Sequence, residues 1–116
     1  MTTQKLWDQV KHFKPSEFDS PDLEGSGASG MNIEFIKMLD QLREKCGFPL
    51  KINSGYRTIE HNAIVGGVDG SAHTSGCACD ISVSNGREKF DILRAAIELG
   101  FVRIGVGKNF IHLDMD

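Results

Sequence analysis

The run Ser71-Ala72-His73-Thr74-Ser75-Gly76-Cys77-Ala78-Cys79-Asp80 sets an imidazole and a carboxylate seven residues apart, with small residues between them. On one continuous strand, residues 73 and 80 would face opposite sides of a sheet. Both side chains can therefore reach one ion only if Ser75-Gly76 breaks the strand. A second imidazole stands near the C-terminus, where His112, Asp114 and Asp116 alternate with Ile111, Leu113 and Met115. That alternation gives a strand with one apolar and one polar face, and His112 and Asp114 point the same way. The bland reading of such a face is solvation, and the chemical reading is a metal or proton-transfer site. Two imidazoles and one carboxylate, His73, Asp80 and His112, form the ligand set of catalytic zinc sites, which leave a fourth position for water or substrate.

Positioning such a set requires a sheet and something to pack on it. Phe35, Met38, Leu39, Leu42 and Cys46 recur at helical spacing before Gly47 and Pro49, so 31–46 is an amphipathic helix whose apolar stripe must cover a sheet. Residues 50–54 read as a short strand, 58–65 as a short helix closed by Gly66-Gly67, and 79–84 as a strand. Ser84 or Asn85 can cap a second long helix, with Phe90, Leu93, Ala96 and Ile97 on one face and Gly100 at its end. Residues 101–106 and 109–116 read as two closing strands joined across Gly107-Lys108 as a hairpin. The glycine-rich piece 25–30 reads as a flexible loop, and His12 belongs to an N-terminal helix. The order does not alternate as βαβ units, so the expected fold class is α+β, with a small, mainly antiparallel sheet flanked by helices.

The chain has 116 residues, the length of one domain, with 40% hydrophobic and 25% charged residues. A net charge of −3 supplies no basic surface, which argues against nucleic acid as a partner. No apolar run approaches the roughly 18 residues of a membrane span, and the N-terminal stretch to Phe13 has no signal-peptide core. The expectation is a cytoplasmic chain when made, without a membrane partner. Three cysteines make a disulfide framework improbable. Cys46 reads as a core thiol, and Cys79 shares an apolar strand face with Ile81 and Val83, although Cys77 and Cys79 could also ligate a soft metal.

The run Ser-Xaa-His-Xaa-Xaa-Gly-Xaa-Ala-Xaa-Asp at 71–80 is preceded by Ser54-Gly55-Tyr56-Arg57-Thr58 and followed by Phe110-Ile111-His112-Leu113-Asp114. In these three blocks and their order the chain resembles the M15 family of zinc peptidases. That family includes D-alanyl-D-alanine carboxypeptidases and L-alanyl-D-glutamate endopeptidases of bacterial cell walls and phage lysins, related in fold to the hedgehog signalling domain. The resemblance implies zinc held by His73, Asp80 and His112, a substrate carboxylate or carbonyl contacted by Arg57, and a supporting hydroxyl from Ser71. It implies peptidoglycan peptides as substrates, reached after release or export by a route the chain does not encode.

Each assignment has a plainer alternative. Arg57 could pair with a nearby Asp in a turn, Ser71 could only cap the turn backbone, and Tyr56 could pack rather than line the cleft beside Arg57. His61 and Asn62 fall on the short helix near the site, and no partner for His61 is evident. One departure matters: relatives often place an acidic general base three positions before the last zinc histidine, where this chain has Asn109. Asp114 is the replacement that strand parity offers, either as the base or as the group that orients His112. The expected function is metal-assisted peptide hydrolysis by a monomer. The rival expectation is a zinc-binding module of the same fold without turnover.

Overall fold

The computed structural model describes residues 3–115. Its elements follow in the order α1 (Thr3–Trp7), a 3-10 turn (Pro15–Phe18), α2 (Ser26–Gly30), α3 (Ile33–Cys46), β1 (Lys51–Ser54), α4 (Ile59–Ile64), β2 (Ala78–Ser82), α5 (Gly86–Leu99), β3 (Arg103–Val106) and β4 (Phe110–Asp114). This is the expected α+β class, with four strands in one antiparallel sheet of order β1-β2-β4-β3. Asp116, expected on the polar face of the last strand, lies outside the described residues. No helix among the described residues is long and apolar enough to cross a membrane.

The two long helices begin where side chains replace missing backbone partners. Asn32 Oδ1 accepts the N–H groups of Glu34 and Phe35 at 2.9 and 3.1 Å and starts α3. Asn85 Oδ1 accepts from Glu88 N–H at 2.9 Å, while Glu88 Oε1 accepts from Ser84 N–H at 2.9 Å, so of the two expected caps Asn85 takes the role. Both helices end at glycines, Gly47 and Gly100. Helix α3 packs on α5, and α5 packs on β4. One core joins Phe35, Ile36, Leu39 and Leu42 of α3 and Ile92, Ala95 and Ala96 of α5 to Cys79, Ile81, Ile111 and Leu113 of the sheet. In the same core Phe18 packs between Trp7 and Phe13, with ring centroids 5.9 and 5.6 Å away.

Four local expectations are corrected. Phe90 and Ile97, expected on the buried face of α5, are 54% and 67% exposed, and the buried stripe is Ile92, Ala95 and Ala96. Helix α5 is apolar on more than one side, and the stripe that carries the alanines is the one buried in the core shared with α3. Residues 26–30 form α2 rather than a flexible loop. Asp19 accepts the N–H groups of Gly25 and Gly27 at 2.9 and 2.8 Å, and Trp7 Nε1 donates to the Ala28 carbonyl at 2.9 Å, which fixes the segment. Helix α1 ends at Trp7, so His12 lies beyond it, with Nε2 2.7 Å from Glu44 Oε1.

The hairpin is the fourth. A two-residue loop at Gly107-Lys108 would place Arg103 opposite His112. The turn instead lies one residue later, with Gly107 N–H donating to the Phe110 carbonyl at 2.9 Å, so Arg103 pairs with Asp114 and Gly105 with His112. A shift of two keeps every side chain on its expected face but changes its neighbour.

Candidate metal centre

Between α4 and β2 the chain makes a tight turn. The Ser71 carbonyl accepts from the N–H of Thr74 at 2.9 Å and from its hydroxyl at 2.6 Å. The Ala72 carbonyl accepts from Cys77 N–H at 3.0 Å and from the Ser75 hydroxyl at 3.0 Å. Gly76 sits in this turn at φ 75°, and a Cβ there would collide with the Gly30 carbonyl, so a side chain is excluded on both counts. The strand is broken where parity required it. His73 thereby faces the same side as Asp80, which heads the polar row of β2 beside the buried Cys79 and Ile81. Register does the rest: Asp80 is the direct cross-strand partner of His112, and side chains so placed lie within contact of one another.

The structure brings His73, Asp80 and His112 together, with one potential ligand atom from each lying within 4.8 Å of the others. Asp80 Oδ1 is 2.8 Å from His112 Nδ1 and 3.6 Å from His73 Nε2. The far side of each ring is held by an oxygen. His73 Nδ1 donates to the Gly55 carbonyl at 2.8 Å, which leaves its lone pair on Nε2, the nitrogen that faces Asp80. His112 Nε2 lies 2.7 Å from Asp114 Oδ2, which turns Nδ1 into the cluster against Asp80 Oδ1, where it would offer a lone pair once a metal took the place of its proton. An imidazole whose outer nitrogen is anchored by a carbonyl or carboxylate is the arrangement that metal-binding histidines show, so the donor set fits a divalent metal in both type and ring orientation.

Charge is concentrated in this cluster. Burial pushes the Asp80 carboxyl up, but hydrogen bonds from His112 and His73 and their charges outweigh it and hold the group well below the usual carboxylate range. His112 is raised above the ordinary imidazole value by its bond to Asp80; burial opposes this and Asp114 adds to it. Arg57 stands beside them, its Nη2 3.8 Å from Asp80 Oδ2 and its backbone N–H donating to the His73 carbonyl at 3.1 Å.

Asp114 is 1% exposed, and both of its oxygens are engaged, Oδ2 with His112 and Oδ1 with Arg103 Nε at 3.0 Å. Ser71 Oγ accepts the His73 N–H at 3.3 Å, so it caps the turn, and Ser71 also lines a cleft of about 520 Å³ with Val68, Arg103, Gly105 and His112. A Cβ at Gly105 would press to 3.3 Å from the Cβ of its partner His112, so the glycine keeps that flank of the ring open. The Tyr56 ring lies over Gly30 and packs on the core. Asn109 is exposed in the hairpin turn, and its carbonyl accepts Val83 N–H at 2.9 Å. His61 donates its backbone N–H to the Thr58 hydroxyl that caps α4. The three cysteines are free, with Cys79 fully buried and its thiol pushed well up by burial.

Sequence reasoning missed the roles of Gly55, Arg103 and Asn62. Gly55 acts through a backbone carbonyl, for which residue type gives no signal. Arg103 would have emerged from the correct hairpin register, and Asn62 from its distance of five residues from Arg57, one turn of helix beyond the Thr58 cap. A protein-family model described as Peptidase M15 matches residues 11–114. No curated protein matches the chain.

Proposed function

The chain belongs to the M15 peptidases, and from that premise we propose that it is a zinc-dependent hydrolase of D-amino-acid-containing peptidoglycan stem peptides or crosslinks, as a carboxypeptidase or an endopeptidase. The observation that supports this reading most is the convergence of His73, Asp80 and His112 from a turn and two strands, with both imidazoles anchored from behind, beside an open cleft and a guanidinium.

His73 through Nε2, His112 through Nδ1 and Asp80 through its carboxylate would hold the metal. When bound, zinc supplies a Lewis acid that polarises the scissile carbonyl and lowers the pKa of water towards about 7. Arg57 presents a guanidinium fork suited to a terminal carboxylate or a carbonyl of the substrate. Asp114 is 1% exposed and bonded directly to His112 Nε2, which supports the role of orienting His112 over that of proton acceptor. Ser71 holds His73 through its backbone N–H, and Gly105 leaves the cleft open beside His112.

Mass spectrometry of purified muropeptides after incubation with zinc-loaded protein tests the proposal. Loss of a terminal D-amino acid or opening of a crosslink is the expected result. Zinc bound at one equivalent with every muropeptide intact would overturn it in favour of a metal-binding module without turnover, the reading that Asn109 favours.

A further inference from the structure

Asn62, on α4, is 4% exposed and takes no part in the metal centre, yet both ends of its amide are bonded. Oδ1 accepts from Arg57 Nη1 at 3.2 Å, and Nδ2 donates to the Val68 carbonyl at 2.9 Å. The two ends cannot be exchanged. Turned over, the NH₂ group would meet the guanidinium donor to donor, and the oxygen would meet a carbonyl acceptor to acceptor. The backbone fixes the same residue, with Asn62 N–H donating to the Thr58 carbonyl at 3.0 Å and Gly67 N–H donating to the Asn62 carbonyl at 2.8 Å. A Cβ at Gly67 would run into Asn62 Oδ1, so the turn after α4 closes directly onto the amide.

An arginine side chain has about 2 kcal/mol of rotamer entropy to lose when it is fixed, and a rigid partner meets that loss before the substrate arrives. The partner's charge matters as much as its rigidity. A carboxylate at position 62 would orient the guanidinium equally well but cancel the charge that an incoming carboxylate is to meet, whereas an amide oxygen orients it and leaves the charge intact. Asp80, the carboxylate nearest to Arg57 Nη2, belongs to the metal-ligand set.

We infer that Asn62 is a positioning residue that presents the Arg57 guanidinium to the substrate with its charge intact, and that it ties this presentation to the cleft rim through Val68. The kinetic part rests on the peptidase reading.

A double-mutant cycle tests it, using zinc-loaded protein and a peptidoglycan peptide with a free terminal carboxylate. Asn62→Ala is expected to raise KM and lower kcat/KM about 10–100-fold, the range for losing a hydrogen bond to a charged group. In an Arg57→Ala background the same change is expected to matter less than about twofold. Equal losses in the two backgrounds would show that Asn62 only supports the turn, and would overturn the inference. The isosteric Asn62→Asp, which keeps the side-chain volume, is expected to raise KM with zinc content unchanged, and an unaltered KM would overturn the inference as well. Proton–nitrogen NMR provides a readout that needs no turnover. Arg57 is expected to show separate, slowly exchanging Nη–H signals in the wild type that merge in Asn62→Ala, and identical signals in the two proteins would overturn the assignment. If the wild type cleaves no peptide, the peptidase reading fails, while the NMR comparison still decides whether Asn62 holds Arg57.

Discussion

The two faces of the sheet are made by the same strands under opposite demands. The inner face, with Cys79, Ile81, Ile111 and Leu113 against α3 and α5, needs apolar volume in the right place, and packing of this kind tolerates exchange among side chains of similar size. The outer face needs particular atoms. Asp80 and His112 must stand opposite each other, His73 must enter from a turn, and Gly55 and Asp114 must hold the rear nitrogens of the two rings. The inner face is assembled from regular elements, whereas the outer face borrows from the segments between β1 and β2. The strands therefore act as a frame, and the turn at 71–76 and the residues around Arg57 convert that frame into a site.

This contrast is open to direct attack. His73→Ala or His112→Ala should remove zinc well below one equivalent and reduce hydrolysis to background, as read by elemental analysis and muropeptide assay. Full occupancy in both variants would sink the ligand assignment. Leu113→Ala, on the opposite face of the same strand as His112, should instead lose about 2–5 kcal/mol of stability in urea denaturation while the folded fraction still binds one zinc. If folded Leu113→Ala protein lost its metal, the two faces would not be separable.

On the proposed role of Arg57, in which the guanidinium meets the substrate and not the metal, Arg57→Ala should keep zinc and lower kcat/KM about 100-fold. Unchanged kinetics would refute that role. For Asp114→Asn the expected result is zinc affinity weaker by about 10–100-fold, with activity restored by excess zinc. Retained zinc with kcat down by about 10²–10⁴-fold would identify Asp114 as the proton acceptor instead. The smallest effect belongs to Ile97→Ala. On the helical face first expected to be buried it would cost several kcal/mol, but at 67% exposure it should shift stability by no more than about 0.5 kcal/mol.

Local rules account for what was legible in the residues. Periodicity placed α3, α5 and the four strands to within a few residues, Asn85 was visible as one of two candidate caps, and the break at Ser75-Gly76 followed from parity once His73 and Asp80 were taken to share one ion. The alternation 111–115 correctly separated an apolar face from a polar one, because side-chain direction along a strand depends only on position in the chain. Where two local answers were allowed, the sequence chose wrongly: α5 offers more than one apolar stripe, and the hairpin more than one turn position.

The sequence by itself determined the α+β class, singled out His73, Asp80 and His112 as candidate donors, and set the faces on which Asp80 and His112 stand. Tertiary structure decided which strand lies beside which, and hence that Asp80 meets His112 and Asp114 meets Arg103. It also decided that the Gly55 carbonyl fixes the His73 tautomer and that Asn62 reaches Arg57. The physical reason is range. Parity, capping and glycine conformations are settled within a few residues, whereas register, backbone acceptors and the burial of one helical stripe over another depend on contacts between segments distant in the chain.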